Sequence, residues 1–188
     1  MNQVHRKPRA PRRLLAAGAA AAAVVVVSMT YLTTAGAQTG AAATPRCQTR
    51  DLAVWLGLGA GGAQAGSASY PLELTNVSGR RCQLYGYPGV SALVNGKQAG
   101  SPAARDHAVA STTVTLAAGA TAHTLLRITD VSALPGCTPV TAQELRVYPP
   151  GAVTPAEIAF RFRACSSAGP RYLSVQAVQP RVGVPGHP

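Results

Sequence analysis

Beyond residue 47, apolar and polar positions alternate along almost every segment. Leu52, Val54, Leu56 and Leu58 share one phase, as do Tyr70, Leu72 and Leu74. The same period of two recurs at Val90, Ala92 and Val94, at Val114 and Leu116, and at Ala122, Thr124, Leu126 and Ile128. Leu145 and Val147 form a short pair, and Leu173, Val175 and Ala177 close the series. Ile158, Phe160 and Phe162 alternate with Ala159, Arg161 and Arg163, the clearest run of all. Such alternation predicts strands with one buried and one wetted face. Turn residues separate the runs at 76–79, Pro88-Gly89, Asn95-Gly96, Ala118-Gly119 and 149–151. Asn95-Gly96 suits a tight type I′ hairpin, because both residues tolerate positive φ. Eight or nine short strands with regular turns predict an all-β fold, an immunoglobulin-like antiparallel β-sandwich. The small-residue stretch 59–69 and the segment 100–110 read as long exposed loops.

The first forty residues follow a different pattern. Arg6, Lys7, Arg9, Arg12 and Arg13 precede an uncharged apolar run over residues 14–27, and Ala35-Gly36-Ala37 follows. A basic leader, an apolar stretch and a small-residue cleavage site make an export signal. Residues 1–37 are accordingly expected to be a signal helix that engages the membrane during export and is cut after Ala37. The competing expectation is an uncleaved anchor, since the apolar stretch extends to Leu32, long enough to span a bilayer. The chain is expected to be secreted, or held at the outer face of the plasma membrane if uncleaved. Residues 38–46 read as a linker, 47–180 as the sandwich, and 181–188 as a loose tail rich in Pro and Gly.

Composition adds compartment and restricts partners. Lys and Arg number 17 against six acids, a net charge of +11. Removing the five leader cations leaves 12 − 6 = +6, with Arg80-Arg81 and Arg161/Arg163 as the densest clusters. That balance lacks the basic run expected of a nucleic-acid binder, and suits long-range attraction to an anionic cell-envelope polymer or a protein partner. Cys47, Cys82, Cys137 and Cys165 all follow the leader. An even count in an exported chain predicts two disulfides, and four cysteines allow three connectivities. Pairing neighbours in sequence, Cys47 with Cys82 and Cys137 with Cys165, makes the shorter loops. Paired C-x₂-C spacings are missing, which argues against zinc.

Two kinds of candidate chemistry remain. Asp106-His107 is the one acid–histidine neighbour pair, and a loop-built hydrolase site around it is the alternative to binding. Adjacent residues in extended chain point apart, and no G-x-S-x-G motif is present, so no catalytic residue is assigned and an enzyme is not expected. No metal or cofactor is expected either. Trp55 falls on the phase opposite its apolar neighbours, as do Tyr85 and Tyr148 on theirs. Exposed aromatics stack on sugars or anchor protein partners, which makes these three the candidate binding residues.

Thr75-Asn76-Val77-Ser78-Gly79, followed by Cys82-Gln83-Leu84-Tyr85-Gly86-Tyr87-Pro88-Gly89-Val90-Ser91, resembles a family of exported actinobacterial proteins catalogued as domain of unknown function 4232. Gly96-Lys97-Gln98-Ala99-Gly100, Leu116-Ala117-Ala118-Gly119 and Leu145-Arg146-Val147-Tyr148-Pro149-Pro150-Gly151 are similar to it as well, as is the layout of four cysteines. The resemblance covers roughly residues 47–180. It implies a secreted or envelope-anchored domain and attaches no activity. The reading that results is a disulfide-stapled sandwich acting as a non-catalytic binding or structural module at the cell surface.

Overall fold

The computed structural model describes residues 43–58 and 62–183; the expected signal helix and the last five residues lie outside them. In chain order the strands are β1 (Leu52–Leu56), β2 (Gly62–Gln64), β3 (Ser67–Asn76), β4 (Cys82–Tyr85), β5 (Gly89–Val94), β6 (Lys97–Ala99) and β7 (Ala104–Arg105). They continue with β8 (Thr113–Leu116), β9 (Thr121–Thr129), β10 (Pro139–Tyr148), β11 (Ala156–Cys165), β12 (Leu173–Val175) and β13 (Gln179–Pro180). The large sheet runs β1-β3-β9-β12-β7, with β2 added to β3 and β13 added to β9. The facing sheet runs β11-β10-β5-β6, and β4 with β8 forms a separate ribbon. The all-β, disulfide-stapled sandwich is therefore what the chain forms.

Alternation builds the core between the layers. Leu72, Leu126, Ile128, Leu173 and Val175 of the large sheet meet Val90, Ala92, Leu145, Val147 and Ala164 of the facing one. A second cluster sits at one end, where Leu52, Leu74, Ala122 and Val178 meet Leu84, Val114 and Leu116 of the ribbon. Each disulfide belongs to a core: Cys47–Cys82 packs in the end cluster, with Cα atoms 4.9 Å apart. Cys137–Cys165 borders the main one at 5.3 Å. The sequential pairing is thus the one formed, closing loops worth about 3–4 kcal/mol each in the chain-entropy view. Tyr172 fills the main core and its hydroxyl donates to the Ala99 carbonyl at 3.0 Å. Burial pushes its phenol up to about 12.

Among the described residues the strands number thirteen rather than eight or nine, and several are long. Pro139–Tyr148 is a full ten-residue strand where sequence showed a short pair. Its register slips between Ala142 and Glu144 against β11, a bulge that breaks the period of two. The stretch 59–69 is not a loop throughout: β2 and the start of β3 pair from Gly62↔Ser69 to Gln64↔Ser67. The segment 100–110 likewise contains β7, which pairs parallel to β12, so the sandwich is not purely antiparallel. Both departures have one cause. Backbone pairing to an existing sheet edge satisfies N–H and C=O groups of polar segments that carry no hydrophobic signal.

Two further details position the site. Asn95 and Gly96 have φ of 51° and 72°, and they join β5 to β6 as the hairpin expected. Pro71 lies inside the ten-residue β3, which a proline normally interrupts. It is tolerated because its missing N–H falls between β1, paired up to Leu72, and β2, paired up to Ser69.

Candidate functional site

The outer face of the large sheet carries a row of polar side chains across four adjacent strands. Trp55 of β1 is in register with Glu73 of β3, Glu73 with His123 of β9, and His123 with Gln179 of β13. All four lie on the phase opposite the core. Residues 179–183 form a strap along this face. β13 holds its start and Gly183 is buried, while residues 184–188 of the tail expected from residue 181 lie outside the described residues. A Cβ on Gly183 would stand 2.6 Å from Pro71 Cβ and 2.9 Å from the His123 ring, so only glycine lets the strap lie this close.

The strap is fastened by two hydrogen bonds. The Gly183 N–H donates to Glu73 Oε1 at 2.8 Å, and His123 Nδ1 lies 2.9 Å from the Arg181 carbonyl. A carbonyl only accepts, so the proton of a neutral His123 must sit on Nδ1. Glu73 is 1% exposed, and among the described residues its Oε2 has no hydrogen-bond partner. Burial pushes its carboxyl above the usual range, against the Gly183 N–H and the nearby His123, which favour the charged form.

Beside the strap opens a cavity of about 560 Å³. Pro71, Leu125, Val109 and Val182 give it apolar walls, and His123, Gln176, Gln179 and Arg181 supply polar groups. Gln176 Nε2 donates to Asp106 Oδ2 at 3.2 Å, which ties this wall to the loop after β7. Gln179 Nε2 donates to the Val178 carbonyl at 2.9 Å.

The sequence-chosen residues distribute as follows. Trp55 belongs to the polar row, 42% exposed, with its indole N–H donating to Thr75 Oγ1 at 3.2 Å. Tyr85 is on the separate ribbon and Tyr148 is on β10 against Gly89, so the three aromatics occupy three different sheets. Asp106 and His107 turn away from each other. Asp106 Oδ1 accepts the Ala108 N–H at 3.0 Å, while His107 Nδ1 meets the Tyr87 hydroxyl at 3.0 Å. The Ala108 N–H and the Gln176 amide hold the Asp106 carboxyl below its ordinary value. The four cysteines form the two disulfides, and among the described residues no three His, Cys or carboxylate groups converge on a metal position.

Sequence reasoning missed Glu73, Gln176, Gln179 and the role of His123. Glu73 sits on the polar phase of an alternating strand, where an acid looks solvated. Its one distinguishing sign is register beside Trp55, and register is invisible in a single sequence.

The family motif has a different job. Asn76 is fully buried, and its Nδ2 faces the carbonyls of Arg80, Leu116 and Ala117 at 2.9–3.1 Å. Its Oδ1 accepts the Ser78 N–H and hydroxyl at 3.0 and 2.7 Å. The Asn-x-Ser-Gly block is thus a clasp joining the turn after β3 to the turn after β8.

The family model titled domain of unknown function (DUF4232) matches residues 47–179, and the chain belongs to that family. No curated protein and no solved structure matches the chain.

Proposed function

We propose that this protein is an exported, non-catalytic binding module that holds a small ligand in the cavity beside the strap. The observation that carries the reading is the cavity itself. Its volume, about 560 Å³, lies within the size range of small-molecule sites. Its make-up, apolar walls with a few placed polar groups, is what such sites share. Export is supported by the basic leader with its apolar run and by two disulfides in a small β domain, which persist in an oxidising compartment. Binding is favoured over hydrolysis because Asp106 and His107 each engage other partners, so these two do not act together as base and orienter. A net positive surface would bring such a module to an anionic envelope, and Trp55 would extend the contact along the same row.

The test is an amide NMR screen of the oxidised, exported chain against small amphipathic fragments. Shifts should cluster at His123, Leu125, Gln176, Gln179 and residues 181–183. Fragments that bind elsewhere, or a face that stays silent throughout the screen, would remove the reading.

A further inference from the structure

The hydrogen-bonding state of the cavity walls specifies more than its size does. Gln176 points one amide N–H at a carboxylate, and Gln179 points its amide nitrogen at two carbonyls, those of Val178 and Ala110. None of these partners can donate, so both amides are fixed in orientation and each turns its Oε1 away. His123 spends its Nδ1 proton on the Arg181 carbonyl, which leaves Nε2 as an acceptor in the neutral ring. Among the described residues, no donor reaches Gln176 Oε1, Gln179 Oε1 or His123 Nε2, and none of these atoms is buried without a partner. Three polar side chains of the lining therefore offer acceptors, and the second N–H of Gln176 is the one amide donor left among them.

We propose that the cavity takes a neutral polyhydroxylated ring, a sugar residue, whose hydroxyls donate to these acceptors while its C–H face lies on Pro71 and Leu125. This rests on the binding reading above and adds the ligand class. The charge pattern selects against the alternatives. A cationic ligand would meet the positive charge of Arg181, a lining residue, and the Glu73 carboxyl lies behind Gly183. An anionic ligand would find the charge of Arg181 and one amide N–H, with three acceptor lone pairs opposing it. A hydroxyl both donates and accepts, so it suits the acceptors and the guanidinium together.

The experiment titrates the oxidised, exported chain with glucose, galactose, mannose and arabinose, with cationic glucosamine and anionic glucuronate, and with neutral tetrasaccharides. Amide shifts are followed. At least one neutral sugar should saturate shifts at His123, Leu125, Gln179 and Arg181, with affinity on the order of millimolar for so few contacts. Gln179→Met keeps the side chain's length and removes its acceptor, and should weaken that sugar at least fivefold with unchanged thermal unfolding. Tighter binding of a tetrasaccharide would identify a glycan chain as the source, and length-independent binding a free sugar. Fragments that bind while every neutral sugar fails would overturn the sugar assignment and leave the binding module standing. Binding confined to glucosamine or glucuronate would overturn it too, by showing that charge and not the acceptor set selects the ligand. A Gln179→Met protein that binds sugar as well as the parent would refute the acceptor argument directly.

Discussion

Asn76 and Glu73 lie three residues apart on β3, and both are buried, yet their surroundings have opposite character. Asn76 faces the end cluster with its amide group fully engaged, three carbonyls on one side and Ser78 on the other. Glu73 faces the strap with one oxygen bonded and the other without a partner among the described residues. A fully satisfied buried polar group specifies one arrangement of chain and stabilises it. A half-satisfied one costs free energy, and it persists where the surrounding structure over-determines it. The two faces of β3 thus separate a buried polar group that locks the fold together from one whose bonding capacity is left over. The family motif marks the first and not the second.

The largest effect should come from breaking the clasp. Asn76→Ala leaves the carbonyls of Arg80, Leu116 and Ala117 facing an empty space and frees both turns. The cost should be about 3–5 kcal/mol in urea unfolding, as large as deleting a core side chain. A loss below about 1 kcal/mol would mean that the buried network contributes little and that the contrast with Glu73 is empty.

Phe160→Ala calibrates that figure. Phe160 packs edge-on against Tyr70 at 5.2 Å and stacks on Phe162 at 5.4 Å, closing the edge of the main core. It is half-buried, so its removal should cost about 2–4 kcal/mol. Arg161 next to it is exposed, and Arg161→Ala should cost under about 0.5 kcal/mol. Equal effects would contradict the alternating burial of β11.

That alternation is also the part of the fold most legible from sequence. Ile158, Phe160 and Phe162 declare their face because β11 has one wet side, and the Asn95-Gly96 hairpin declares itself through positive φ. β2, β7 and most of β10 do not. The first two are small or polar segments paired through their backbones to a neighbouring strand, and a bulge scrambles the third. The disulfides were legible from spacing, since both pairs join nearest neighbours in sequence. The site was the least legible part. Its row, Trp55–Glu73–His123–Gln179, is assembled from four strands whose register depends on the whole sheet. Trp55 was visible as an aromatic on the wrong phase. Its neighbours look like ordinary solvated residues until the strap covers them.

Gly183→Ala tests the strap by itself. The added methyl would collide with Pro71 and the His123 ring, neither of which can yield easily. The strap should lift, with faster amide exchange over residues 179–183 and a stability loss of about 1–2 kcal/mol. The end cluster lies on the other face of the sheet, so amides around Asn76 should keep their protection. Coupled loss at both places would show that the two regions form one cooperative unit.

The smallest effect, and the one that bears most directly on Glu73, is its dependence on pH. Burial raises the carboxyl of the folded protein above its unfolded value. The protonated form is therefore the one the fold prefers. Below the unfolded pKa, near 4.5, Glu73 is protonated in both states and carries no charge penalty. As pH rises through the folded pKa the folded protein must ionise a buried group, and stability falls to a lower plateau. Glu73→Gln keeps an oxygen for the Gly183 N–H and has no proton to lose. The difference in unfolding free energy, variant minus parent, should rise as pH climbs past the unfolded value and level off once the folded carboxyl is ionised. The sign is the decisive point. A difference that falls with rising pH would mean that the folded protein stabilises the carboxylate, through a partner for Oε2, and Glu73 would then belong with Asn76 among the satisfied groups.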